Sequence, residues 1–358
     1  MRLLNLIRQF LADLNAQRLR TVLTILGITW GTVAVVVLLS FGVGLEKQMM
    51  KGALGLGDGI AIVFPGRTTK AFRGFGADRP IRLREDDAAL LAAEIPEIRD
   101  VSPEYGRWVA ARRETATTNA YVTGIVPVYG DMRNVIPEPG GRFINELDMA
   151  QRRRVAVIGD EVKRTLFGDG DAVGQQIYLG ATPFLVVGVM QKKKQDSSYQ
   201  TRDRNRIFIP ASTHAAIFGD RYLRDIIYKA ADPKQAALVR DRVYEVLGRR
   251  HTFDPTDRDA IGVWDTTDML KMFDLIFFGF KVFLGIVGSF TLTVGGIGVA
   301  NIMYIVVRER TREIGIKRSL GARRRDILFQ FFFEATLVVL TGAVLGFLIS
   351  VGLVALVG

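Results

Sequence analysis

Three long stretches of the chain contain no charged residue, and between the first two lies a region in which charged and apolar residues are mixed. The stretches are Thr21–Leu45, Val282–Val307 and Ala335–Gly358. Each exceeds the roughly 20 apolar helical residues that cross a bilayer core of about 30 Å. A cleaved signal peptide is the alternative for the first stretch, although its apolar core is longer than that of a signal. The pattern predicts three transmembrane helices.

The mixed region, residues 46–274, predicts an α+β domain inserted between spans 1 and 2. Its length is sufficient for a hydrophobic core, in two subdomains. Acidic residues mark the start of the first predicted helix and Pro96 follows its end. Glycines mark the ends of other short helices and strands. The predicted elements are helices over Glu85–Ala93, Glu161–Phe167 and Pro233–Leu247, and strands over Arg154–Ile158, Phe184–Met190, Arg206–Ile209 and Arg224–Ala230.

The second span is expected to begin outside the bilayer as a stalk. Asp265, Thr266 and Thr267 are candidate helix caps. They precede an apolar stripe at helical spacing, formed by Leu270, Phe273, Phe277 and Phe280. Lys281 is then placed to reach the outer interface.

The charge distribution gives the orientation of the spans. The net charge is +11, with 24% charged residues and a mean hydropathy of +0.19. The excess is concentrated in residues 1–20, with four arginines against one aspartate, and in residues 308–326, with eight basic residues against three acidic ones. Both segments flank apolar stretches, as the positive-inside rule describes, so nucleic-acid binding is the weaker interpretation. We expect these two segments in the cytoplasm and residues 46–274 outside it.

Composition argues against an enzyme. The chain has no cysteine and two histidines, His214 and His251, which argues against a disulfide framework, a thiolate metal site and a histidine-rich catalytic site. No G-x-x-x-x-G-K-[ST] motif occurs, so any ATP hydrolysis would have to come from a partner, and we expect no cofactor or metal in this chain. The glycines of GLGDG (Gly55–Gly59) predict turns, and the basic triplets Arg152–Arg154 and Lys192–Lys194 predict solvated faces.

Small residues recur at four-residue spacing within all three spans, and such spacing permits close helix packing. The candidate packing residues are Gly27, Gly31, Gly295, Gly296, Ala300, Gly342 and Gly346.

The segment after the second span, VRERTREIGIKRSLGARRRDIL (Val307–Leu328), combines charge with an apolar side at Ile314 and Leu320, and Gly321 is placed to end a helix. A plain positive-inside loop and a short amphipathic helix that docks into a groove of a soluble partner fit this pattern equally well.

The run GGIGVANIMYIVVRERTREIGIKRSLGARRRDILFQFFFEA (Gly295–Ala335) resembles the signature of macrolide-exporter-type (MacB-type) permeases, whose membrane domain is FtsX-like and serves ATP-binding cassette (ABC) systems. LTILGITWG (Leu23–Gly31) is similar to the same family. GRFINELDMAQRRRVAVIGDEVKRTLFG (Gly141–Gly168), VGQQIYL and PFLVVGVM resemble the periplasmic core domain of that family. The resemblance covers nearly the whole chain.

The resemblance implies a multi-pass protein of the cytoplasmic (inner) membrane. Its implied parts are a cytoplasmic N-terminal segment (1–20), a first span (21–45), a core domain with a porter-like part and an inserted subdomain (46–274), a stalk and second span (275–307), a cytoplasmic coupling loop (308–326) and a third span (327–358). Residues 282–358 would be the FtsX-like domain. The family has a fourth span, which is expected to be absent here.

The resemblance also implies partners and a mechanism. Glu309–Gly321 would be a coupling helix, and the residues expected to carry coupling are Glu309, Arg310, Thr311, Arg312, Glu313, Ile314 and Gly315. They would receive the power stroke of a separate ATPase subunit and transmit it mechanically, in a homo- or heterodimer of permeases with a periplasmic adaptor. The alternative is a non-transporting regulator that activates a cell-envelope enzyme or sensor.

Overall fold

The computed structural model describes residues 18–195 and 198–357, which form two compact units. The helical unit contains the described residues up to Lys47 and from Asp274 onward, and the α+β domain is Gln48–Phe273. The predicted N-terminal segment 1–20 lies almost entirely outside the described residues.

In chain order the main elements are α1 (Arg18–Leu54), β1 (Ile60–Pro65), α2 (Glu85–Glu94), β2 (Ile98–Arg113), β3 (Ala116–Ile125), α3 (Tyr129–Met132), α4 (Glu146–Ala150), β4 (Val155–Ile158), α5 (Asp160–Phe167), β5 (Gln176–Leu179), β6 (Thr182–Val189), β7 (Arg206–Pro210), α6 (Ala211–Phe218), β8 (Asp225–Ala230), α7 (Ala236–His251), β9 (Ile261–Asp265), α8 (Thr266–Glu309), α9 (Thr311–Ser319) and α10 (Arg324–Val357).

Four strands of the α+β domain form an antiparallel sheet in the order β2-β8-β1-β9. The chain reaches this order through two β-α-β units, β1-α2-β2 and β8-α7-β9, in which the two strands of each unit are separated by a strand of the other. This is the ferredoxin-like arrangement. Helices α2 and α7 bury apolar side chains, among them Leu91, Val239 and Val243, in the same cluster as Tyr228 and Ile261 of the sheet.

A second sheet is inserted between β2 and β8. The C-terminal part of β2 leaves the first sheet at Tyr105 and pairs with β3 and β5. From there the strands follow the order β2-β3-β7-β4-β6-β5 and return to β2, so the inserted strands close into a ring. A core of small and branched side chains packs with this ring, including Val122, Ile158, Ile177, Val186 and Ile207. A ring closed in this way has no free edge strand.

The sheet and the ring are joined by β2, which pairs in both, and by a shared apolar cluster. Ile62 of β1, Ile227 of β8 and Phe208 of β7 belong to that cluster. The sheet and the ring therefore bury side chains against one another within one domain.

Three described helices are long and apolar enough to cross a membrane by length and composition, over Val22–Gly52, Thr266–Glu309 and Arg324–Leu356. The α+β domain lies between the first two in sequence, as predicted. Helix α8 begins at Thr266, capped by Asp265, whose Oδ1 accepts a hydrogen bond from the main-chain N–H of Thr267 (2.8 Å). Helix α8 is longer than the predicted stalk and second span (275–307), because it is already helical from Thr266 and continues to Glu309.

The predicted short elements are present with shifted ends. Strands Arg154–Ile158, Phe184–Met190, Arg206–Ile209 and Arg224–Ala230 correspond to β4, β6, β7 and β8, and helices Glu85–Ala93 and Glu161–Phe167 correspond to α2 and α5. The α-helix predicted from Pro233 starts at Ala236, after a 3₁₀ turn.

Sequence patterns did not reveal β1, β2, β3, β5 and β9. Strand β2 breaks the expected alternation because it crosses between two sheets, and it buries polar residues, Ser102 and Glu104, on the way.

One basic triplet differs from its prediction. Lys192 and Lys194 are exposed, but Lys193 is largely buried, with its Nζ 2.7 Å from Asp203 Oδ2. The solvated face predicted for Lys192–Lys194 is therefore wrong for its central residue, because a buried carboxylate attracts it.

Gly159 provides a test of the packing inside the inserted ring. It ends β4 and starts α5, and a Cβ there would lie 2.2 Å from the carbonyl oxygen of Arg204 and 2.6 Å from that of Asp203. Gly159→Ala should destabilise the α+β domain by about 1–3 kcal/mol. The atoms that the new Cβ would meet belong to the main chain, which cannot move aside by changing a rotamer as a side chain can. The measurement is the unfolding free energy in denaturant. Gly76→Ala, where a Cβ meets nothing within 4 Å, is the control; equal effects at both positions would contradict the assigned packing.

Candidate coupling segment

The segment between α8 and α10 folds as a helix bounded by two turns. Helix α8 ends at Glu309, Arg310 leaves helical geometry with φ −93° and ψ 15°, and α9 follows. Gly321 has a φ of +92°, a left-handed value that favours glycine. The main-chain N–H of Ala322 donates to the carbonyl of Lys317 (3.0 Å), which closes the turn before α10.

The predicted coupling helix Glu309–Gly321 is therefore shorter than expected. Glu309 belongs to α8, and the bend at Arg310 separates it from α9 (Thr311–Ser319). The hydroxyl of Thr311 donates to the carbonyl of Arg308 (2.7 Å). A side chain thus satisfies a main-chain acceptor at this bend.

One side of α9 is tied to α10 by polar contacts. Arg310 Nη1 lies 3.7 Å from Glu334 Oε1, and Glu334 is 7% exposed. Gln330 donates from Nε2 to Glu334 (3.2 Å) and accepts from Lys317 Nζ (3.3 Å). Lys317 also pairs with Glu313 at 2.8 Å. These residues connect α9 with the first turns of α10.

The hydrogen bond and charge of Lys317 lower the pKa of Glu313, so this carboxyl is ionised at neutral pH. The pair spans one helical turn and supports α9.

The other side of α9 is exposed and carries both charge and apolar surface. Arg312, Ile316 and Leu320 follow one another at four-residue spacing, and we call them the outer stripe. Ile316 is 53% exposed and Leu320 is 82% exposed. Helical spacing places residues i and i+4 on one face, so the three form a continuous strip.

The structure places the predicted coupling residues on both sides of the segment. Glu309, Thr311, Arg312 and Gly315 are exposed, whereas Arg310, Glu313 and Ile314 are partly buried. Sequence reasoning assigned the apolar side to Ile314 and Leu320 and missed Ile316; the four-residue spacing from Ile316 to Leu320 was the available signal.

Three of the predicted packing glycines lie in tight contact with another helix. A Cβ on Gly342 would lie 2.9 Å from Ile28 Cβ, and one on Gly346 would lie 2.7 Å from Thr32 Cβ, both in α1. A Cβ on Gly31 would approach Thr291 Cγ2 at 2.8 Å. The Thr29 hydroxyl donates to the carbonyl of Gly342 (3.1 Å). Small residues thus bring α1 and α10 close together.

The remaining predicted packing residues line open space. A Cβ on Gly27, Gly295 or Gly296 would meet nothing within 4 Å, and Ala300 is exposed. Gly27, Gly295 and Gly296 line an apolar groove of about 750 Å³ within the helical unit, together with Trp30 and Phe290.

Among the described residues, no group of three or more His, Cys, Asp or Glu side chains is arranged to hold a metal ion.

Comparison with protein families gives two matches. Residues 21–246 match the MacB-like periplasmic core domain, and residues 285–357 match the FtsX-like permease C-terminal domain. Together they include the first and third apolar helices, the second from residue 285 onward, and most of the α+β domain.

Curated relatives align with almost the whole chain. It is 32% identical over 348 residues to a macrolide export ATP-binding/permease protein MacB of Bdellovibrio bacteriovorus, covering 97% of this chain and 53% of that protein. It is 33% identical over 339 residues to the pyoverdine export ATP-binding/permease protein PvdT of Pseudomonas entomophila, covering 93% and 49%. The chain spans about half the length of these relatives.

A solved structure shares the fold. The periplasmic region of MacB from Actinobacillus actinomycetemcomitans aligns with 63% of this chain and 98% of its own, with a TM-score of 0.50 and 19% identity.

The contact between α1 and α10 gives a second prediction. Gly346→Val should lower the stability of the helical unit by about 1–3 kcal/mol, because the added side chain meets Thr32 and the carbonyl of Thr29. Resistance of the purified chain to denaturing detergent measures the effect. Gly352→Val is the matched control on the same helix, since a Cβ at Gly352 meets nothing within 4 Å. An equal loss in both variants would argue against the α1–α10 contact.

Proposed function

The chain belongs to the MacB-type permeases, which combine a MacB-like periplasmic core domain with an FtsX-like permease domain, and we propose that it couples ATP hydrolysis by a separate ABC ATPase subunit to movement of a substrate outside the cytoplasm. The observation that carries this proposal is the outer stripe of α9, an exposed charged and apolar strip next to the end of a long apolar helix. A short amphipathic helix of this kind suits a groove on a soluble partner.

ATP and Mg²⁺ belong to the partner in this proposal. The sequence contains no G-x-x-x-x-G-K-[ST] motif, whereas the relatives of about twice its length are named ATP-binding/permease proteins. The nucleotide chemistry is therefore assigned to a polypeptide or domain outside these 358 residues.

Helix α8 is the proposed transmission element. Its 44 residues would extend about 66 Å at 1.5 Å per residue, about twice the thickness of a bilayer core. It starts directly after β9 and ends directly before α9. Displacement of α9 by a closing ATPase would be passed along this helix to the α+β domain.

The basic segments give the orientation in this proposal. Residues 308–326, which include α9, are placed in the cytoplasm together with the N-terminus, and the α+β domain is placed outside. The Arg310–Glu334 and Lys317–Gln330 contacts would keep α9 attached to α10 during the stroke, so that both helices move together.

The remaining partners follow from the family. Two permease chains would act with two ATPase subunits, and a periplasmic adaptor would receive the substrate. The relatives are named for export of macrolides and pyoverdine, and export of a substrate of this small-molecule class is the function proposed here.

The outer stripe provides the test. The double variant Ile316→Ser with Leu320→Ser should reduce stimulation of the ATPase by at least about tenfold in the reconstituted complex, because apolar anchors at the centre of an interface often contribute more than about 1 kcal/mol each. Hydrolysis is measured with and without the permease.

Arg325→Gln is the matched control. Arg325 is exposed in the same basic segment but lies at the start of α10, outside the outer stripe. Membrane insertion and thermal stability of both variants should equal those of the wild type. Full stimulation by the double variant would refute the coupling role of α9.

A further inference from the structure

A cluster of buried charged and phenolic side chains occupies the α+β domain where the chain crosses between its sheet and its ring. We call it the joint cluster. Its members are Glu104, Arg133, Lys193, Tyr199, Asp203, Arg206 and Asp225.

Asp203 is the centre of one half of the joint cluster. Its Oδ1 accepts from Arg133 Nη2 (2.8 Å) and lies 3.4 Å from Arg206 Nε, and its Oδ2 lies 2.7 Å from Lys193 Nζ. Burial opposes ionisation of this carboxyl, but the three cations outweigh that effect and lower the pKa of Asp203 to about 2. Asp203 is therefore ionised and well compensated.

Glu104 is the acceptor in the other half. Arg206 Nη1 donates to Glu104 Oε1 (2.8 Å), and the Tyr199 hydroxyl donates to Oε2. Both side chains of the Glu104–Arg206 pair have no exposed surface. Both carboxyl oxygens of Glu104 thus have a hydrogen-bond donor within the joint cluster.

Asp225 lies directly opposite Glu104 on the neighbouring strand. The two residues are register partners in the antiparallel β2–β8 pair, so their side chains project from the same face, with Cβ atoms about 4.5–5.5 Å apart. Asp225 is fully buried, and among the described residues neither of its carboxyl oxygens has a hydrogen-bond partner. Arg206 Nη2, in the same cluster, is also buried without an acceptor.

Several charged and titratable groups act on Asp225. They are Glu104 of β2, Arg224 of its own strand, Arg206 of β7, Arg133 after α3 and Tyr121 of β3. Burial raises the pKa of Asp225 far above its usual range, and the Glu104 carboxylate raises it further, against the opposing arginines. Two carboxylates side by side in a buried site cannot both ionise without a large penalty.

We propose that Glu104 and Asp225 form a proton-binding site that holds one proton at neutral pH and stabilises the crossing between the sheet and the ring. The ligand of this site is a proton, carried on the Asp225 carboxyl, since both Glu104 oxygens already accept hydrogen bonds from Arg206 and Tyr199.

The position of the pair explains why its protonation matters to the fold. Glu104 is the last residue of β2 that pairs with β8 before the strand enters the ring at Tyr105, and Asp225 is the first residue of β8 after the chain returns. One carboxyl therefore lies at each crossing. Loss of the proton would place two like charges opposite each other at the point where β2 passes from the sheet into the ring.

The sign of the pH effect follows from the raised pKa. A folded aspartate that keeps its proton contributes stability fully below the ordinary aspartate pKa of about 3.9, and this stability is lost as the pH rises toward the folded pKa. Asp225→Asn is a neutral near-isostere that cannot ionise. The folding constant of the variant relative to the wild type should therefore increase by up to about tenfold per pH unit above about pH 4, until Asp225 ionises.

The experiment is unfolding of the α+β domain in the full-length chain, in detergent, between about pH 5 and about pH 9. Asp169→Asn is the control, because Asp169 is exposed and outside the joint cluster. It should follow the pH dependence of the wild type. Identical pH dependence of Asp225→Asn and wild type would overturn the proposal.

A second measurement needs no variant. Among the described aspartates with shifted pKa values, Asp225 is raised whereas the others are lowered. Infrared spectra of protein labelled with ¹³C at the aspartate carboxyl should show a protonated carboxyl band at about pH 6, where ordinary aspartates are ionised. Because only aspartate carboxyls carry the label, glutamates do not contribute to this band. Absence of the band in the wild type would overturn the proposal even if Asp225→Asn does not fold.

Both readouts concern the chain alone. They are independent of the proposed coupling to an ATPase, so failure of one proposal is distinguishable from failure of the other.

Discussion

The continuous main-chain hydrogen-bond ladder of α8 is the constraint on which the remaining structure depends. In an apolar medium each main-chain N–H and C=O must be satisfied within the helix, because no water is present to replace a broken bond. The part of α8 that lies within the bilayer core, about 20 of its 44 residues, cannot interrupt this ladder. Other elements of the protein hold the two ends of α8.

At its beginning, α8 is attached to the sheet of the α+β domain. The Thr266 hydroxyl accepts from the main-chain N–H of Ile60 (3.0 Å) and donates to the carbonyl of the same residue (2.9 Å). Strand β9, which pairs with β1, leads directly into the helix. At its other end, the bend at Arg310 redirects the chain into α9, whose inner side is tied to α10. Under the proposed function, these two attachments make α8 a lever with one end on the α+β domain and the other at the ATPase.

The α+β domain uses buried charge where the helical unit uses close contacts between small residues. In the domain, three cations surround Asp203, and Glu104 and Arg206 pair without solvent. Buried ion pairs contribute little net stability compared with apolar packing, because desolvation offsets their attraction. They do require particular partners, however, and so they fix how the sheet and the ring meet. In α1 and α10, by contrast, Gly342 and Gly346 allow close approach without any charge.

Features that depend on local composition are predictable from the residues alone. Uninterrupted apolar stretches specified three long helices, since their length and lack of charge are visible without any contact. Glycine and proline marked the ends of α2 and α5, and the run Gly295–Ala335 carried the resemblance to the family that the matches support.

Features that depend on contacts between residues far apart along the chain are visible only in the fold. Strand β2 lacks an alternating pattern because its two halves belong to different sheets. Its pairing partners, β8, β3 and β5, could therefore not be inferred from its own residues. Lys193 belongs to a basic triplet that indicates a solvated face, yet Asp203 holds it in the interior. Arg310 and Arg312 look equivalent in sequence, but Arg310 faces Glu334 and Arg312 faces outward. A side chain's neighbours across the fold set its burial and its charge state, and they are far apart along the chain.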